Sequence, residues 1–240
     1  MAYLEAMIRK LRNSTNLEDD DIQSIRTLPI HIKELAADTS IVKERDRPTQ
    51  CCLMIEGYSA RSKTTDQGKR QILSIHVPGD IPDLQSLHLH VMDHDFWTLS
   101  ACTVGFISHE ALRALTRARP LIAEALWRET LLDAAIFREW IVNVGRRPAG
   151  ARLAHLVLEM RERLAAVGLA GNGYYELPMT QAQLGDALGL TPVHVNRVLK
   201  ELRAAGVLDM RKHRVTLGDA EKLSKIGDFD EVYLHQRPEL

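Results

Sequence analysis

The sequence predicts an α+β chain: an N-terminal antiparallel β-roll, a long helix, then a C-terminal winged helix-turn-helix. Three observations carry this. Short apolar runs separated by turn residues recur from Thr39 to Ser108, the pattern of short antiparallel strands. A wide apolar stripe at helical spacing follows, from Leu121 to Ile141. Thr180 to Leu202 then reads as two short helices around a tight corner.

Taken in order, residues 1 to about 37 carry helical spacings (Met7, Ile8, Leu11, then Leu17, Ile22, Ile25), with Asn16 and Asp19 to Asp21 as start signals. Expected strands are Ile41-Val-Lys, Cys52-Leu-Met-Ile, Tyr58-Ser-Ala-Arg, Gln71 to Val77 and Ala101 to Ile107. Glu56-Gly57, Asp66-Gln-Gly68, Pro78-Gly-Asp80 and Asp93-His-Asp95 supply turns between them. His109 to Val144 is helical, with a break at Arg119-Pro120, where Pro120 can open a helix as its first residue.

That helix is apolar on more than one side: Leu121, Ile122, Ala125, Leu126, Leu132, Ala135, Ile136, Trp140 and Ile141. Such a helix is expected to pack on the roll and on a second copy, with Ile122, Ala125, Glu129, Leu132 and Ile136 as the seam. Gly145-Arg-Arg-Pro-Ala-Gly150 is the hinge. The expected domains are therefore a sensor roll with its helices over 1–144, a winged helix-turn-helix over 145–220, and a polar tail over 221–240.

At 240 residues the chain can hold two cores. A formal net charge of -1 excludes a uniformly basic nucleic-acid coat. Between Pro178 and Leu217, however, six Lys/Arg face three acids, a local basic face of the kind that touches DNA. Three cysteines, Cys51, Cys52 and Cys102, are too few for a disulfide scaffold. No window reaches the roughly 18 apolar residues of a membrane span, and a cytoplasmic protein is expected. No Gly-rich phosphate loop, nucleophile elbow or useful carboxylate pair points to an enzyme.

In the corner motif Thr180 caps the first helix, with Gln183 completing a capping box. Gly189 marks the turn, and Thr191-Pro192 opens the second helix. On that second helix Val195, Val198, Leu199 and Leu202 face inward; Val193, Asn196, Arg197 and Lys200 face outward, with His194 on the flank. Val207 to Leu217 reads as a two-stranded wing with a basic tip.

Leu188-Gly-Leu-Thr-Pro-Val-His-Val-Asn-Arg-Val-Leu-Lys-Glu-Leu202 resembles the cAMP receptor protein/fumarate-nitrate regulator (Crp/Fnr) family of bacterial transcription factors, most closely at Arg197-Val-Leu-Lys200. Pro78-Gly-Asp80 and Cys102 to Ser108 match more loosely, and the order of parts agrees over nearly the whole chain. The resemblance implies a cyclic-nucleotide-binding-like sensor, a homodimer, an inverted-repeat double-stranded operator, and RNA polymerase as a further partner. It marks Arg197 as the base-reading arginine. The expected DNA-contacting set is Thr180, Gln181, Thr191, Val193, His194, Asn196, Arg197, Lys200, Lys212, His213 and Arg214. The family commonly has glutamate where Val193 stands, so a different half-site is expected.

The effector is not legible. Where the cAMP-binding relatives cradle phosphate, this chain has Gly79-Asp-Ile-Pro-Asp-Leu84, and no Lys or Arg occurs between Arg70 and Arg113. Poor cAMP binding follows from carboxylates without a cationic partner. The first fifty residues lack cysteine, against an N-terminal iron–sulfur cluster. No cofactor or metal is expected. The alternatives are haem or metal sensing through His76, His88, His90 and His94, or a regulator competent without ligand.

Overall fold

The computed structural model describes residues 2–171 and 173–236. They form two compact units, one built mainly from residues 2–63 and 75–134, the other from 64–74 and 135–234.

In the first unit, α1 (Glu5–Ser14) and α2 (Asp19–Arg26) precede the strands. Glu18 rather than Asn16 caps α2, sharing a capping box with Asp21. One sheet has the order β1-β7-β3, from β1 (Ile30–Leu35), β3 (Gln50–Glu56) and β7 (Cys102–Ser108). The other includes β2 (Ser40–Val42), β6 (Asp95–Thr98) and β4 (Ser59–Thr64) in the order β2-β6-β4, while β5 (Arg70–His76) falls largely within residues 64–74. The pairings β1–β7, β3–β7, β2–β6 and β4–β6 are antiparallel.

Two strands correct the sequence reading. Helix was expected to about residue 37, yet Ile30–Leu35 is strand β1. It is an edge strand, mostly exposed, so it lacks the dense apolar face by which a strand is recognised. It reaches β7 because Gly105 leaves room: a Cβ there would lie 2.6 Å from Ile30 Cγ2. Asp95, expected in a turn, begins β6, whose Phe96 is fully buried.

Adjacent Cys51 and Cys52 point to opposite faces of β3, as alternation requires. Cys51 joins the core beneath α1, α2 and the start of the long helix, and Cys52 joins that around Phe96 and Val104. All three cysteines are free and buried. Burial pushes the Cys51 thiol up to about 12, which leaves it inert.

After α3 (His109–Ala118), α4 (Pro120–Arg146) is one helix of 27 residues. Its facing differs from the expected seam. Ile122, Ala125, Leu126, Ala135 and Trp140 are buried within the subunit, and Glu129 is ion-paired to Lys10. The large apolar side chains left open are Trp127 (66% exposed), Leu131 (54%), Ile141 (68%) and Val142 (43%). Neighbours of α4 within each unit decided this, Ile122, Ala125 and Leu126 in the core of the first and Trp140 against Glu159 in the second, which periodicity in one helix cannot show.

In the second unit, α4 continues through Gly145 and stops at Arg146, and α5 (Ala149–Ala166) begins after Pro148. The residue before a proline is biased away from helix, and here that residue, Arg147, is buried against Glu139 (2.6 Å). Then come β8 (Tyr174–Glu176), α6 (Gln181–Leu188), α7 (Pro192–Ala204), β9 (Leu208–Arg211) and β10 (Arg214–Leu217), the strands ordered β8-β10-β9. The expected tail over 221–240 is folded instead: α8 (Ala220–Gly227) and a 3-10 turn at Glu231–Leu234 pack on α5, while residues 237–240 lie outside those described. Its apolar anchors are few and scattered (Leu223, Leu234 and the Phe229 and Tyr233 rings), which hid it, and polar contacts add to them. Tyr233 Oη donates to the buried Glu159 carboxylate (2.8 Å), which also accepts from Trp140 Nε1 (2.9 Å). No helix among the described residues is long and apolar enough to cross a membrane.

Candidate nucleic-acid interface

The α6–α7 corner follows from local chemistry. Thr180 Oγ1 accepts from the Gln183 backbone N–H (3.1 Å), and Gln183 Oε1 accepts from the Thr180 N–H (2.8 Å). This reciprocal box starts α6, and Gly189 at φ 64° ends it. Gly185 makes the corner tight, since a Cβ there would lie 2.5 Å from the Leu190 carbonyl oxygen. Thr191 Oγ1 then accepts from the His194 N–H (3.2 Å), with Pro192 in the first turn.

The burial of α7 divides as its periodicity dictates. Val195, Val198, Leu199 and Leu202 are buried, whereas Arg197 and Lys200 are exposed and Val193 is 82% exposed. His194 and Asn196 are half-buried between the two faces. Thr180, Gln181 and Thr191 are exposed at the helix starts, where free backbone N–H groups favour anions.

The polar side chains of α7 are tied to neighbours rather than loose. Asn196 Nδ2 donates to Gln181 Oε1 at 3.4 Å, which joins α7 to the first turn of α6. Arg197 Nη2 donates to His194 Nε2 at 2.8 Å. Its Nε stands 3.8 Å from Glu201.

The wing is a two-residue hairpin: Arg211 pairs with Arg214, and Lys212 and His213 between them have φ 47° and 68°. Two positive φ values make this a type I′ geometry, which favours Asn-Gly. Both tip side chains are exposed. The Arg214 guanidinium carbon stands over the Tyr174 ring, 4.0 Å from its centroid. Of the six basic residues counted from the sequence, Arg203 and Arg211 bond to Asp209 at 2.7 and 3.1 Å. The outward charge therefore rests on Arg197, Lys200, Lys212 and Arg214.

Residues 151–226 match the Crp-like helix-turn-helix domain, and residues 32–119 the cyclic nucleotide-binding domain. The chain belongs to the Crp/Fnr family of DNA-binding transcriptional regulators. It is 26% identical over 208 residues to the transcriptional activator protein FnrL of Cereibacter sphaeroides, covering 82% of this chain and 81% of the relative. It is 24% identical over 223 residues to the nitrogen fixation regulation protein FixK of Bradyrhizobium diazoefficiens, covering 93% and 92%. Among solved structures, FixK2 from Bradyrhizobium japonicum superposes with a TM-score of 0.76 at 25% identity, covering 83% of this chain and 98% of that one.

In the family's sensor region this chain holds two cations that sequence spacing hid. Lys10 arrives from α1 and bonds to Asp80 (2.6 Å) and to Glu129 of α4. Burial pulls its pKa down, but Asp80 and Glu129 outweigh this and hold it above the ordinary lysine value. Arg61 on β4, 5% exposed, pairs with Asp133 (2.5 Å), one helical turn beyond Glu129, and donates to the Pro82 carbonyl. The expectation of carboxylates without cations is thus corrected: the cations are present, and each is already matched.

Around them, burial raises Asp83 to about 7, while its Oδ1 accepts from the Cys52 N–H at 2.7 Å. Burial, then Arg61, lowers His76 to about 4, with Asp80 3.5 Å away. The four histidines of the metal alternative diverge. His94 bonds to Asp93 (2.7 Å), and His88 and His90 are exposed. Among the described residues no group of three or more His, Cys, Asp or Glu is placed to hold a metal ion.

Proposed function

We propose that this protein is a homodimeric regulator that reads an inverted-repeat operator through α7, and that no cyclic nucleotide sets its activity. The observation that carries the reading is the division of α7: a buried apolar face that seats it, and Val193, Asn196, Arg197 and Lys200 on the other. A guanidinium fork fits guanine O6 and N7, Asn196 fits adenine or a phosphate, and Val193 fits a thymine methyl. Thr180, Gln181, Thr191 and the wing's Lys212, His213 and Arg214 supply phosphate contacts, which set register rather than sequence.

Dimerisation is supported by the open face of α4. Trp127, Leu131 and Ile141 fall at intervals of four and ten along it, close to a heptad seam. Two α7 helices brought together by such a seam address half-sites about one DNA turn, roughly 34 Å, apart. RNA polymerase is the further partner of a regulator of this kind, and the cytoplasm its compartment. The domain division follows the same logic: roll and α4 for sensing and pairing, residues from about 145 for DNA.

Independence from cyclic nucleotides is supported by the internal ion pairs. A phosphate entering beside Lys10 or Arg61 would have to displace Asp80 and Glu129, or Asp133, and leave those carboxylates unmatched. The same pairs tie α4 to the roll without any ligand, which favours the ligand-free reading over haem or metal sensing.

Arg197→Ala tests the reading. It should remove the preference for the operator at one base pair of each half-site and weaken retardation on a gel, while sedimentation still shows a dimer. Selectivity unchanged at every base pair would sink the assignment, and tight cAMP binding by calorimetry would sink the ligand-free part.

A further inference from the structure

We propose that His194 is a specificity-determining positioning residue: it aims Arg197 at its base instead of contacting DNA as an independent reader. This rests on the reading of α7 given above. An arginine donates hydrogen bonds and accepts none, so in the 2.8 Å contact His194 Nε2 is the acceptor.

Helical geometry makes this contact directional. Long side chains on a helix lean toward its N-terminus and meet residues three or four positions back, and His194 is three back from Arg197. The opposing choice is Glu201, four residues on, whose carboxylate stands 3.8 Å from Arg197 Nε. A recognition helix contacts base edges through its N-terminal residues. His194 draws the guanidinium toward that end, and Glu201 draws it away. One Nη2 hydrogen is spent on His194, leaving four N–H groups, enough for a two-bond fork onto a purine edge.

Position also separates His194 from its neighbours. It is half-buried, whereas Arg197 and Val193 are exposed, so it is less open to the bases than they are. Its own N–H bonds to Thr191 Oγ1 (3.2 Å), which seats its backbone in the cap of α7. Asn196 is held comparably, by Gln181 across the corner. Each reader thus has a partner that sets its direction before DNA arrives, which lowers the ordering cost of binding.

The test begins with a preferred half-site, obtained by selecting bound duplexes from a randomised pool with the wild-type protein. Binding is then measured at fixed salt to that duplex and to every single base-pair substitution. Arg197→Ala should flatten discrimination at one base pair by about tenfold or more. His194→Ala, and His194→Phe with its ring but no acceptor, should lower discrimination at that same base pair by about three- to tenfold and leave other positions unchanged. His194→Gln, which keeps an acceptor, should retain most of it. Glu201→Gln in the His194→Ala background should recover part.

A loss spread evenly over all positions in His194→Ala would make His194 a phosphate contact or a structural residue and overturn the proposal. Unchanged discrimination there, with Arg197→Ala still flattening its base pair, would overturn it too while leaving the DNA reading in place. Should Arg197→Ala change no position, the DNA reading itself falls, and this proposal with it.

Discussion

In the N-terminal unit Lys10 and Arg61 are turned inward and matched by Asp80, Glu129 and Asp133. In the C-terminal unit Arg197, Lys200 and Lys212 are turned outward, and of these three Arg197 contacts side chains of its own helix among the described residues. The same residue types serve opposite ends because their surroundings differ. A charge held in a low-dielectric interior must be matched by the protein itself. On the surface water keeps it charged at little cost, and it stays available to an external anion. Family resemblance alone would mark both regions as binding sites; the local electrostatics favours one of them.

The comparison breaks most visibly at Asp133. Asp133→Ala leaves the Arg61 guanidinium buried with its ion pair removed, and should cost about 3 kcal/mol of stability, read as a fall in the thermal midpoint. The double replacement Arg61→Met with Asp133→Leu should recover most of that loss. A cost below about 1 kcal/mol, the range of surface pairs, would show that the two regions do not differ as described.

A smaller effect of opposite sign is expected at the wing. Lys212 and His213 hold positive φ without being glycine or asparagine, a conformation that costs roughly 1 kcal/mol or more for such residues. Replacing them with the turn's preferred pair, Lys212→Asn with His213→Gly, should raise stability by about 1 kcal/mol. DNA affinity should fall, and the log-log salt slope should become shallower by about one for each lost phosphate contact. Higher stability with unchanged DNA affinity would make the tip a solvated loop.

The smallest net effect in the unmodified protein is a pH dependence in the roll, where two opposite slopes largely cancel. Asp83, raised by burial to about 7, binds its proton more tightly folded than unfolded. Its contribution is complete below the ordinary carboxylate pKa and is lost as pH rises toward 7. His76, lowered to about 4 by burial and Arg61, runs the other way: its contribution is complete above the ordinary histidine pKa and is lost as pH falls toward 4. The two slopes oppose each other between pH 4 and 6.5. Relative to wild type, His76→Gln should lose stability more steeply as pH rises through that window, and Asp83→Asn should gain it. Parallel curves for all three proteins would remove both shifts.

Much of this was legible in the residues alone. The capping box at Thr180 and Gln183, the corner at Gly189, the start at Thr191-Pro192 and the two faces of α7 depend on interactions within a few residues, and each appears where the spacing put it. The α+β architecture was equally plain, because alternating and helical periodicities are local signals. Edge strand β1 and the packing of residues 220–234 on α5 were not, since β1 is mostly exposed and the C-terminal segment carries only a few scattered apolar residues. Tertiary structure alone decided which side of α4 stays open, because Ile122 and Trp127 are equally apolar and only the neighbours differ. It also decided that Lys10, 70 residues from Asp80, and Arg61, 72 from Asp133, complete the charges of the N-terminal unit. Ion pairs at such separations leave no periodic trace, and the fold makes them by bringing α1, β4 and α4 to one place.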